Sequence, residues 1–447
     1  MTRRLIIGFA LFTLVLVAGG LCYYLARQTP GQTLPSLSPR GGDTSASTEF
    51  LNAQRAAAFY RDEIQKHPEV VKNYVELAQL FLQEARVTAN HHEYIPKAQY
   101  LLDEALLREP ENFEAIITRA SVLMTLHHFD EARMLAEKAI ATNPYSSFAY
   151  GALCDAYVEL GHYANAVKTC DKMLSVRPDL RSYSRASYLR ELHGDVEGAS
   201  DAMKLAADAG IFGQENRAWV LFSLGNLYLH EGKLDTAEYI YKGILEERPN
   251  YAYAFSGLAQ VLAARGETGQ AIIQLARAME LTPEHLFLEQ LADLYRATGQ
   301  MHNAAGTARL VIESYLQHEG DGWNTDKEYA LFCANHDMNL DEALDRARRD
   351  YERRPENIDA LDVYAWTLYK NGKPSEALPF VEKALRLNTR SAIMEYHAGV
   401  ICQAAGMPKK ASYHLRKTIG LNPFPHVLYA ADAKARLASL DALAFQN

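Results

Sequence analysis

The chain is poor in the residues from which reactive sites are usually built. Five cysteines occur in 447 residues, and none stands at the short spacing of a zinc or redox pair. Fifteen histidines are present without an H-E-x-x-H motif. Gly372-Lys373 lacks the upstream glycine and the following hydroxyl residue of a phosphate loop. Asp321-Gly322-Trp323-Asn324-Thr325-Asp326 does not continue the alternating oxygen ligands of a calcium loop and reads as a helix-linking turn. His91-His92-Glu93 reads as a solvated loop, and His127-His128 as a turn between helices. Basic charge is not in excess either: 46 Lys and Arg face 55 Asp and Glu, for a net charge of −9. The two signs are interspersed, whereas a nucleic-acid binder concentrates basic residues on one face. These absences point away from an enzyme and from any metal, cofactor or nucleic-acid partner.

Long apolar runs are missing too, with one exception. Arg3 and Arg4 precede an uncharged run from Leu5 to Ala26, which Arg27 closes. As a helix it reaches roughly 33 Å, enough for a bilayer core of about 30 Å. Tyr23 and Tyr24 lie where an interfacial aromatic belt belongs. The expectation is a membrane anchor or signal peptide over residues 1–27. Cleavage near Ala18-Gly19-Gly20 is the alternative to an uncleaved single-pass helix. Cys22 fits a lipidation signal poorly, because Leu21 before it is bulky. In either case the paired arginines stay in the cytoplasm and the body lies outside it; cleavage would leave it secreted or periplasmic. Residues 28–48, rich in Pro, Gly, Ser and Thr, read as a flexible linker.

What the chain does have is a period. Pro68, Pro110, Pro144, Pro178, Pro249, Pro283, Pro355 and Pro423 are spaced by multiples of 34 residues apart from small insertions. A proline recurring at this interval marks the end of the second helix in a two-helix unit. Leu221-x2-Leu224-Gly225-x2-Tyr228, Gly232, Ala237-x3-Tyr241 and Pro249 make the clearest copy. Phe255, Leu258, Ala259, Gly266, Ala271 and Pro283 repeat it, as do Tyr150, Leu153, Tyr157, Gly161, Ala166 and Pro178. Small residues sit where helices approach, and glycines at 161, 232, 266, 299, 372 and 406 fill the turns. Asp235-Thr236-Ala237 reads as an N-cap.

This pattern resembles the tetratricopeptide repeat, and more narrowly exported or membrane-anchored bacterial proteins of that class. The expected fold is all-α: one transmembrane helix, then a right-handed α-solenoid of about ten units over residues 49–440. A lone helix at 48–67 opens it, a capping helix at about 425–440 closes it, and residues 441–447 form a tail. Three units depart from the template, at Arg86–Pro96, Gly210–Gln214 and Gly320–Asn324. Cys154 and Cys170 fall on paired helices of one unit, as buried small residues or as a disulfide.

The resemblance implies that the first helix of each unit lines a concave groove. Its groove positions here are Asp155, Glu159, Tyr188, Glu191, Trp219, Phe222, Asn226, His230, Tyr253, Gln260, Asp293, Arg296, Asp362, Trp366 and Tyr369. Trp219, Phe222 and Tyr253 are large aromatics outside the packing signature, and anchor a ligand or pack on neighbours. The basic clamp of chaperone-tail binders is absent. The implied function is a membrane-tethered, extracytoplasmic scaffold that binds protein segments; a binder of carbohydrate or another envelope polymer is the alternative.

Overall fold

The computed structural model describes residues 34–40, 48–282 and 284–444. The predicted membrane segment, most of the predicted linker, Pro283 and residues 445–447 lie outside them. Among the described residues no helix is long and apolar enough to cross a membrane, so the predicted transmembrane helix is no part of the architecture below. The chain divides into two compact units, residues 1–68 and 69–447. The first contains helix α1 (Thr48–Lys66). Arg40, inside the predicted linker, pairs with Glu49 at 3.1 Å and lies over the Phe50 ring.

The second unit is a run of ten helix pairs. The pairs are α2 (Val71–Thr88) with α3 (His91–Arg108), α4 (Phe113–Thr125) with α5 (Phe129–Thr142), and α6 (Ser147–Glu159) with α7 (Tyr163–Val176). Next come α8 (Leu180–Leu192) with α9 (Val196–Asp208), α10 (Glu215–His230) with α11 (Leu234–Glu247), and α12 (Ala252–Ala264) with α13 (Thr268–Leu281). Then follow α14 (His285–Ala297) with α15 (Met301–Gly320), and α16 (Asp326–His336) with α17 (Leu340–Arg353). The series ends with α18 (Ile358–Lys370) and α19 (Pro374–Ala384), α20 (Ala392–Ala404) and α21 (Pro408–Leu421), and the cap α22 (Ala430–Ala444).

The repeat signature folds this way for a local reason. Tyr241 of α11 is fully buried against Gly225 and Gly257, on the first helices of its own and the next unit. A Cβ at either glycine would come within 3.0 Å of the ring. One aromatic thus locks three helices, and only glycine leaves it room. Between the helices of every pair the chain turns through the left-handed region: Ala89, His127, Gly161, Gly194, Gly232, Gly266, Gly299, Asp337, Gly372 and Gly406 all have positive φ. In nine of these turns the next amide bonds back five residues, as in His162 N to Tyr157 O at 2.7 Å, which satisfies a helix-end carbonyl.

Other local expectations shift. Apart from the turn at Ala89 and Asn90, the insertion at Arg86–Pro96 is helical, so α2 and α3 reach 18 residues each and His91 and His92 open a helix instead of a loop. The N-cap of α11 is Lys233, leaving Asp235 in the first turn. The cap helix starts at Ala430, after an irregular stretch that contains Pro425.

The repeat also closes on itself. In units two to five the turn between the two helices meets the loop that precedes the first helix six units later. Asn324 N donates to Leu126 O at 3.0 Å. Asn357 Nδ2 donates to Val158 O and Glu159 O at 3.3 and 3.0 Å, across 199 and 198 residues. Thr389 donates to Leu192 O, and Asn422 Nδ2 to Leu229 O at 3.1 Å. Each acceptor is a carbonyl in the last turn of a first helix or at its C-cap, where intrahelical donors run out; Val158 O and Leu229 O also accept from the turn amides of Gly161 and Gly232. Successive superhelical turns of residues 69–447 therefore touch along a polar seam, with six units to the turn.

Candidate functional site

Most polar groove positions bond to neighbouring units or to the seam. Asp155 accepts two bonds from Arg185, which reaches across from α8. Burial pushes the Asp155 carboxyl up, and the arginine opposes this without cancelling it. Glu159 receives Arg354 from the seam at 2.7 Å. Asn226 accepts from the Tyr241 hydroxyl at 2.7 Å, and Tyr253 donates to Glu284 at 2.8 Å. Arg296 holds His336 O and Asp337. Phe222 is 5% exposed and Trp366 2%, so both are packing residues. Tyr369 stacks on Trp366 with ring centres 5.0 Å apart, and Gln260 is half-buried.

Three groove positions are exposed: Tyr188, Trp219 and His230. Trp219 is 45% exposed and Tyr188 40%. Trp219 is braced from below, edge-on to Tyr253 at 5.2 Å and tilted on Phe222 at 5.6 Å. Tyr188, Glu191 and His230 line a cavity of about 190 Å³ whose far wall is Asp359, Thr389 and Met394 from the next superhelical turn. His230 Nδ1 stands 3.7 Å from Glu191. Tyr188, beside an acid and an imidazole, can grip an apolar side chain and a neighbouring polar group, while Trp219 offers a separate aromatic face nearer the start of the helix that carries His230.

Two further regions carry strong electrostatics. Glu289 is pushed up to about 8 by burial, with Asp293, Glu328 and Glu284 adding to the effect and a Tyr315 hydrogen bond opposing it. At neutral pH it therefore holds a proton. Asp293 moves the other way. Burial raises it, but the adjoining His426 and His336 more than offset that and hold it below the usual carboxylate range. Where the seventh and eighth units meet the first two, Trp323 is ringed by His91, His127 and His318, at 5.4, 5.7 and 5.1 Å between ring centres. His92 pairs with Asp321, and His91 lies 3.5 Å from Glu284. Burial, with the neighbouring histidines, lowers His318 to about 4 even though its ring bonds Ser314 O.

The histidine pairs read as loop and turn are thus seam residues. His127 and His128 do sit at a turn, yet both also bond the 322–324 backbone. A second cavity, about 640 Å³, opens beside them and is walled by Arg346, Arg349, Arg353 and Arg354. Asp326 takes Arg349 and Arg353, both at 2.7 Å, so the arginines are paired. Among the described residues no group of three or more His, Cys, Asp or Glu is arranged to hold a metal ion. Cys154 and Cys170 are buried free thiols. Sequence reasoning missed Asn335, His336, His397, His426 and Tyr429, whose roles depend on partners in distant units.

The tetratricopeptide repeat family model matches residues 228–292. Cellulose synthase operon protein C of Pseudomonas fluorescens (strain SBW25) is 25% identical over 190 residues, 40% of this chain and 14% of that protein. The chain thus matches only a small part of this relative. A thermophilic TPR protein of Thermus thermophilus is 21% identical, covering 46% of this chain and all of its own, with a TM-score of 0.37. The pilF protein of Pseudomonas aeruginosa is 17% identical over 47% of this chain and 96% of its own, also at 0.37. Likenesses at these scores carry no argument about mechanism.

Proposed function

We propose that this chain, whose residues 228–292 match the tetratricopeptide repeat model, is a protein-interaction scaffold whose accessible contact lies on the inner face of the fourth and fifth units. Proteins of this class mediate protein–protein interaction. The observation that carries the local reading is Trp219, half-exposed at a groove position yet fixed by two rings beneath it. A rigid aromatic loses little entropy on binding and dominates an interface out of proportion to its area. Tyr188, Glu191 and His230 line a second contact on the same two units. The scaffold is membrane-tethered through residues 5–26 and its body lies outside the cytoplasm, a reading that rests on the sequence of the first 27 residues.

Affinity capture from solubilised membranes, with the tether intact, tests it. Trp219→Ala with Tyr188→Ala is expected to abolish partner capture while helical content stays unchanged. Retained capture would remove the groove assignment, and protease accessibility in intact cells checks the sidedness. A second reading, a binder of carbohydrate or another envelope polymer, draws on the named relative from a cellulose synthase operon and on the flat face of Trp219. A peptide-against-glycan binding screen separates the two.

A further inference from the structure

The inner face of the seventh to ninth units is not empty. It holds the chain's own segment between α21 and α22, Asn422-Pro423-Phe424-Pro425-His426-Val427-Leu428-Tyr429. Two prolines keep its first half from becoming helical. Asn422 fixes one end at Leu229 O in the fifth unit. From there the segment crosses to side chains that lie two to four units back along the solenoid.

His426 Nε2 lies 3.3 Å from Asp293 Oδ2, a groove position of the seventh unit whose other oxygen bonds His336 Nε2 at 2.9 Å. Val427 packs on the cluster that contains Phe287 and Leu294. The Tyr429 hydroxyl donates to Asn335 Oδ1 at 2.6 Å, the same oxygen that takes Trp366 Nε1 at 2.9 Å. The Tyr429 ring stacks on Tyr396 at 4.4 Å, and the residue is 5% exposed. Each element of peptide recognition is present: an acid for an imidazole, an amide for a phenol, an apolar floor, and a segment that Pro425 leads into a turn, closed where Tyr429 N donates to His426 O at 3.0 Å.

We infer that this face is a peptide-binding site occupied by the chain's own Pro425–Tyr429. The partner it fits is a segment presenting proline, then histidine, then tyrosine three residues further on, and such a segment enters only by displacing the resident one. This goes beyond the reading of Trp219, which concerns other units, and the two fail independently. The resident segment competes at the high effective concentration of a short tether, so the intact chain binds such a partner weakly.

The test uses the full chain and a fluorescein-labelled synthetic peptide of residues 422–430. In fluorescence anisotropy the double variant His426→Ala, Tyr429→Ala is expected to bind this peptide at least about tenfold more tightly than the unaltered chain. Adding Asp293→Asn should remove most of that gain, and a peptide with both residues replaced by alanine should not bind. If the double variant loses helical content, Tyr429→Phe, which deletes one hydroxyl, replaces it with an expected gain of about threefold. Folded variants that take the peptide no better than the unaltered chain would overturn the inference. So would equal binding of the alanine-replaced peptide.

Discussion

Two glycines with the same local geometry make the seam testable. Gly161 and Gly266 both occupy the turn between paired helices, at φ +78° and +83°. Alanine in the left-handed region costs about 1–2 kcal/mol, and that part is common to both sites. Around Gly266 nothing lies within 4 Å of an added Cβ. At Gly161 the same atom falls within 3.0 Å of the backbone of Glu356 and Asn357, from the loop six units on. Carbon atoms need about 3.5–4.0 Å, so backbone must part from backbone. The separation breaks the two Asn357 bonds, the 2.9 Å bond from Ile358 N to the Tyr163 hydroxyl, and the Arg354–Glu159 pair. With neutral bonds near 1 kcal/mol and a charged one somewhat more, Gly161→Ala should cost roughly 4 kcal/mol beyond Gly266→Ala. Urea denaturation measures the difference, and small-angle scattering should show a larger radius of gyration for Gly161→Ala alone. Equal losses, within about 1 kcal/mol, with unchanged scattering would refute a seam that holds the turns together.

Glu289 and His318 give pH-dependent predictions of different sign. The folded-state pKa of Glu289 lies above its unfolded value, so folding takes up a proton at neutral pH, at a cost that grows between about pH 4.5 and 8. Glu289→Gln keeps the acceptor for Tyr315 without that cost. It should be about 1–3 kcal/mol more stable at pH 7 and indistinguishable at pH 4 by denaturant titration; equal stability at pH 7 would show that the carboxyl is already ionised. His318 has a depressed folded-state pKa, so its contribution is whole above about pH 6.5 and lost as the pH falls toward 4. About 2–3 kcal/mol should disappear between pH 7 and 4.5. His318→Gln should flatten that slope, and an unchanged slope would assign the acid sensitivity elsewhere.

The fold was legible because its code is local. Each small residue, turn glycine and terminal proline meets partners within one unit or the next, and the spacing of 34 exposes them in a bare sequence. The seam was not, and Asn357 shows why. Its Oδ1 accepts from Asp359 N and Ala360 N, an ordinary helix cap, while Nδ2 donates to carbonyls 199 and 198 residues upstream. A reader of sequence sees the cap and has no reason to look for a second bond. The groove list drew its positions from the first helix of each unit. It could not say which side chains stay open, because that depends on how tightly the superhelix winds: Trp366 faces inward and is covered by Tyr429.

The seam also constrains how such a chain can evolve. An open solenoid tolerates the loss or duplication of a unit, since each unit answers only to its neighbours. Here a deletion anywhere between the second and eighth units would bring the wrong loop opposite each turn. Asn357 and Asn422 would no longer face the carbonyls they now satisfy. Point changes away from the seam stay permissible, whereas the number of units between each turn and the loop it meets is fixed.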